Sequence, residues 1–110
     1  MSMFPLACQR PALPQRMPAA ARVLADLAEE ALHLPEVCIW ALDAIVELHI
    51  RGQVSDVEAV QTWAAHLDGT VEHESLFHLP GSALVRVRVE RDGLPVEIWT
   101  ITRVPLEEAS

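Results

Sequence analysis

Alternation of apolar and polar positions is cleanest between Ser82 and Val104. Residues 83–90 (Ala-Leu-Val-Arg-Val-Arg-Val-Glu) and 95–104 (Pro-Val-Glu-Ile-Trp-Thr-Ile-Thr-Arg-Val) repeat with a period of two and are rich in β-branched side chains. That is the signature of half-buried strands. Asp92-Gly93 lies between them, a dipeptide suited to positive φ at both centres of a type I′ turn. Two loop residues fix the pairing: Arg91 opposes Leu94, Val89 opposes Val96, Val87 opposes Ile98 and Val85 opposes Thr100. These positions form one apolar face. On the other face Glu90 meets Pro95, Arg88 meets Glu97, Arg86 meets Trp99 and Leu84 meets Ile101. An Arg88–Glu97 ion pair and an Arg86–Trp99 cation–π contact are expected there. A slip of one residue would invert both faces.

Upstream the period changes. Val23, Leu24, Leu27, Ala28, Ala31 and Leu32 form a 3.6-residue stripe, predicting a helix from Pro18 to Pro35, with His33 in its last turn. Residues 1–17, with Pro5, Pro11 and Pro14 and no periodicity, predict a flexible N-terminal tail. Residues 37–51 are too long for one ordinary strand of about 5–6 residues. They predict two strands with a tight turn at Leu42-Asp43-Ala44, one long bent strand being the alternative. Gly52 reads as punctuation. Ser55-Asp56-Val57-Glu58 reads as a capping box opening a helix that buries Val57, Val60, Trp63, Ala64 and Leu67, with Gly69 as its left-handed stop. A further strand is expected over Thr70–Leu79, with Pro80-Gly81 turning into the hairpin. Residues 105–110 are expected to fray. The helix signature Ala-x-x-x-Trp-Ala-x-x-Leu-x-Gly over 59–69 is structural and carries no functional residue.

The order is α-β-β-α-β-β-β. The fold class expected is α+β: an antiparallel sheet of four to five strands with two helices packed on one face, as a single domain over 18–104.

Composition narrows the function classes. The 110 residues carry sixteen acids against eight bases, a net charge of −8. All eight bases are Arg. An acid excess disfavours direct nucleic-acid binding, which calls for a basic footprint, and an anionic membrane surface likewise. No apolar run is long enough to span a bilayer. With no secretory signal pattern, a cytoplasmic location is the default. Cys8 and Cys38 suggest neither a disulfide framework nor a zinc knuckle.

Candidate chemistry is sparse. His73 and His78 are five residues apart on a strand, hence on opposite faces. Glu47 and His49 share a face but need further ligands before they resemble a metal site. Ser55 is taken by its cap, Ser82 lacks a Gly-x-Ser-x-Gly context, and Cys38 reads as a small buried hydrophobe. Four scattered glycines exclude a phosphate-cradling loop. No catalytic residue, metal ligand or cofactor is assigned, and a binding role is favoured over an enzyme. Trp and Arg are enriched at binding hot spots. The outer face of the hairpin, Leu84, Arg86, Trp99 and Ile101, is therefore the candidate interaction surface for a protein partner or a second copy in a homo-oligomer. Trp40 would extend it if its strand joined the same sheet. One alternative is an acidic regulator or decoy of a nucleic-acid-binding protein, because residues 37–81 hold seven acids and only Arg51. Another is a small-molecule-binding domain or minor enzyme with a site between sheet and helices.

Overall fold

The computed structural model of the chain describes residues 13–44, 47–76 and 78–103. It shows an α+β fold with two helices and a five-stranded mixed sheet, in the order α-β-β-α-β-β-β. The elements are α1 (Leu13–Glu30, followed by a 3₁₀ turn Ala31–His33), β1 (Val37–Asp43), β2 (His49–Val54), α2 (Val57–Leu67), β3 (Val71–Ser75), β4 (Ser82–Arg91) and β5 (Leu94–Arg103).

The strands lie in the order β1-β2-β5-β4-β3. All neighbours are antiparallel except β2 and β5, which are parallel, so the wholly antiparallel sheet is corrected. The connectivity explains the seam. The β1–β2 hairpin is one antiparallel block and β3–β4–β5 is another. Between them α2 carries the chain back, so that β3 starts in the direction of β2. Two reversals then return β5 to that same direction, and a helical crossover is the connection that parallel pairing requires.

The β4–β5 hairpin has the register read from the sequence, from Arg91↔Leu94 out to Leu84↔Ile101. Its turn has positive φ at both centres, 54° at Asp92 and 77° at Gly93. Val85, Val87, Val96 and Ile98 are buried against Trp63, Val60 and Ala64 of α2, with Ala20, Val23 and Leu27 of α1 completing the core. Both helices therefore cover the same face.

Several boundaries differ from expectation. The first helix starts at Leu13, with Pro18 inside it. At Pro18 the helix lacks one amide hydrogen bond. Of the expected tail, residues 1–12 lie outside the described residues, as do 104–110 at the other end. Ala28 and Leu32 of the expected stripe are exposed, Leu32 to 78%; Leu32 lies in the 3₁₀ turn, which rotates it off the 3.6 period. Residues 37–51 hold two strands, but the first runs to Asp43 and the second starts at His49; residues 45 and 46 lie outside the described residues. The strand over 70–79 is shorter, Val71–Ser75. Leu76 to Gly81 form turns held by Leu79 N–H to Leu76 O and Ser82 N–H to Leu79 O, and Phe77 lies outside the described residues.

Three local readings are corrected in kind. Gly52 continues β2 and does not end it. A Cβ there would sit 2.9 Å from both Ile98 Cδ1 and Trp40 Cζ3, so the glycine lets an aromatic ring lie against the strand. The cap of α2 is Asp56, whose carboxylate accepts the Ala59 amide at 2.8 Å, one residue beyond the expected Ser55. The left-handed residue ending α2 is Asp68, φ 59°. Gly69 is small because a Cβ would meet Val87 Cγ2 at 2.5 Å.

Candidate functional site

The two helices occupy one face of the sheet, and among the described residues nothing packs on the other. Strand alternation and the observed registers place Leu84, Arg86 and Arg88 of β4 on that open face. With them lie Glu97, Trp99 and Ile101 of β5, Arg51 and Gln53 of β2, Ile39 and Ala41 of β1, and Glu72 and Glu74 of β3. The four residues singled out from the sequence, Leu84, Arg86, Trp99 and Ile101, are thus two adjacent cross-strand pairs at its middle. Leu84, Arg86 and Trp99 are partly buried by their neighbours, and Ile101 is 45% exposed.

The polar part of this face is a ladder of alternating charge. Arg51 Nε donates to Glu97 Oε1 at 2.7 Å. Arg86 reaches the other oxygen, Nη1 to Oε2, at 3.5 Å. The same guanidinium faces Glu72 at 3.7 Å through Nε and Glu74 at 3.6 Å through Nη2. Glu97 is 7% exposed, so both its oxygens are engaged where a carboxylate would otherwise carry a desolvation cost. Arg86 Nε is buried without a hydrogen-bond partner. Its guanidinium is spread over three carboxylates rather than seated bidentately on one.

Two contacts expected of the hairpin are redistributed. Arg51, not Arg86, stacks on Trp99, with Cζ 4.9 Å from the ring centroid. Arg88 opposes Glu97 in register, but the Glu97 carboxylate turns to Arg51 and Arg86. The hairpin alone could not reveal this. Arg51 arrives on β2 through the parallel seam, where it is in register with Glu97, and the β3 carboxylates draw Arg86 the other way. Arg51, Ile39, Glu72 and Glu74 belong to this face but not to the surface expected from the sequence, and Glu97, expected opposite Arg88, binds Arg51 and Arg86 instead. The outward parity of Arg51 and the Arg/Glu alternation were the available signals.

Trp40 does not extend the face. It pairs with Gly52 on the helix side and meets the buried Trp63 edge to face, centroids 6.0 Å apart. Trp63 Nε1 donates to Pro35 O at 2.9 Å. Cys38 is exposed rather than buried, because the register of β1 slips between Val37 and Ile39 and leaves it in a bulge.

The other candidate groups lie apart. His49 Nδ1 is 3.1 Å from the Glu47 carbonyl. Among the described residues no group of three or more His, Cys, Asp or Glu side chains could hold a metal ion, and no helix is long and apolar enough to cross a membrane. Between sheet and helices the side chains of Trp63, Leu27, Ile50 and Ile98 are fully buried. Shallow clefts lie at the surface, one lined by Asp26, Glu29, Glu30, Leu32 and His33, another by Glu47, Arg88, Val89, Glu90 and Pro95. The acids are divided: Glu72 and Glu74 face Arg86, whereas Asp26 and Glu29 are exposed on α1. Glu30 joins three elements, accepting from Arg91 at 2.5 Å and lying 2.6 Å from His66 Nε2. The Arg91 hydrogen bond holds the Glu30 carboxyl below the usual carboxylate range, partial burial opposing and His66 assisting. Arg91 is raised in turn.

No protein-family model matches this chain, and neither a curated protein nor a solved structure does.

Proposed function

We propose that this protein is a non-enzymatic interaction module that docks a protein partner on the open face of its sheet, centred on Trp99. The observation carrying this reading is the composition of that face. Trp99, Leu84, Ile101 and Ile39 lie together on one side of a buried carboxylate whose two oxygens are taken by Arg51 and Arg86. A Trp with an Arg guanidinium over its ring offers a surface that loses little rotamer freedom on binding. The ladder of Arg51, Glu97, Arg86, Glu72 and Glu74 presents both signs of charge in fixed rows, which favours one docking register over others. Five strands hold these side chains on a rigid frame, the kind of support on which a small interface is built.

Affinity capture with the full chain as bait tests the reading. Wild type is compared with Trp99→Ala, Ile101→Glu and a helix-side control, Glu29→Ala. A protein retained by wild type and by the control, and lost by both face variants, is the expected result. Partners retained by both face variants, or lost equally by the control, would overturn it.

A further inference from the structure

The two edges of the sheet are unlike. The β3 edge carries Glu72, His73 and Glu74, all exposed, and charged side chains along an edge discourage strand addition. The β1 edge reads Val-Cys-Ile-Trp-Ala-Leu-Asp, with no charge before Asp43. It pairs with β2 on one side, and among the described residues no strand pairs with the other. Its bulge, a feature that can blunt an edge, lies at Cys38 near the strand's start. Ile39 to Leu42 therefore run in regular register, a template of backbone donors and acceptors. Its exposed apolar side chains lie on both sides of the sheet: Ile39, 58% exposed, on the open face, and Leu42, 37% exposed, on the helix side.

We infer that β1 is a dimerisation strand, pairing antiparallel with β1 of a second copy to give a continuous ten-stranded sheet. Three observations select a second copy as the occupant. An antiparallel pair of identical strands is its own complement across a two-fold axis. The chain carries a net charge of −8, which opposes contact between charged surfaces of two copies and leaves the uncharged run Val37 to Leu42 as the edge where a two-fold contact costs least. Exposed apolar side chains on both sides of the strand let a pairing strand bury them together with its own. The pairing uses the edge and leaves both Trp99 faces open on the same side of the extended sheet. It therefore goes beyond partner docking and would make that docking bivalent.

Sedimentation velocity over a concentration series, with hydrogen exchange on the same samples, tests this. Wild type should approach twice the 12.2 kDa chain mass, and exchange at alternate β1 amides should slow as concentration rises. Leu42→Lys should weaken association at least about tenfold, while Ile101→Lys, on the open face and away from the edge, should leave it unchanged. A wild-type mass that stays at one chain would overturn the inference. So would a dimer that withstands Leu42→Lys, or one that Ile101→Lys dissociates, which would place the contact on the face instead. If Leu42→Lys does not fold, the wild-type exchange data decide alone, and β1 amides indifferent to concentration refute the pairing. Failure here leaves the capture test of the open face untouched.

Discussion

Replacing Gly52 by Ala probes the feature that sets the two faces of the sheet apart. The added Cβ would lie 2.9 Å from Ile98 Cδ1, 2.9 Å from Trp40 Cζ3 and 3.2 Å from Trp40 Cε3. Carbon atoms in good contact are about 3.5–4.0 Å apart, so each neighbour must retreat by roughly half an ångström. Neither has room. Ile98 is fully buried, and Trp40 is backed by Trp63, itself fixed by its bond to Pro35. Overpacking of this kind costs about 1–3 kcal/mol, and Ala in place of Gly recovers about 0.5–1 kcal/mol of chain entropy. At mid-range the net loss is about 1 kcal/mol, a fall in Tm of about 4–8 °C for a domain of this size. Thermal and urea melts followed by circular dichroism measure it. The same substitution in a Trp40→Leu background should cost about half as much, since the Trp40 contact is relieved and the Ile98 contact remains. A comparator, Gly81→Ala, has open space around it and a φ of 80°. Its cost, about 1–2 kcal/mol of backbone strain, should not depend on Trp40. A neutral or stabilising Gly52→Ala, or an equal cost in both backgrounds, would refute the placement of Trp40 over β2.

Other substitutions test the remaining framework. Asp56→Ala should lose about 1 kcal/mol through the helix cap, and Ser55→Ala almost nothing; urea midpoints that reverse this order would restore the capping box. Trp63→Phe removes the side-chain donor to Pro35 O and should lower stability by about 1–3 kcal/mol, with quenching data reporting a looser core. Glu30 has a folded pKa below its unfolded value of about 4.3. Its contribution is therefore complete above that value and is lost as pH falls through the folded pKa. Glu30→Gln should cost a few tenths to about 1 kcal/mol at pH 7, the difference from wild type closing in acid; a gap that widens below pH 4 would contradict the sign.

Much of the fold was legible because local signals agreed. In the β4–β5 hairpin, turn chemistry, alternation and cross-strand charge all specify one register. In α2 the apolar spacing and the acid-rich start coincide. What could not be read depends on contacts between distant segments. The β2–β5 seam follows from where α2 returns the chain, and no residue near the seam announces it. Without the seam, Arg51 could not be placed over Trp99 or against Glu97, and Arg86 was assigned the ring that Arg51 occupies. Trp40 sits in a continuous apolar run, Cys38 to Leu42, which has no parity to read; a bulge at Cys38 then decides its side. Gly52 and Gly69 looked like punctuation because their reason, a side chain pressed against the backbone, lies on other elements. The four candidate site residues were found as a patch because all of them belong to the one hairpin whose register local sequence determines.

The docking proposal is tested most directly by hydroxyl-radical footprinting of the full chain, purified and in the lysate of its native cells. If the open face engages a partner, oxidation of Trp99 and Ile101 should drop severalfold in the lysate while Leu32, exposed on the helix side, is labelled equally in both. Equal labelling of Trp99 and Ile101 in the two samples would contradict the account.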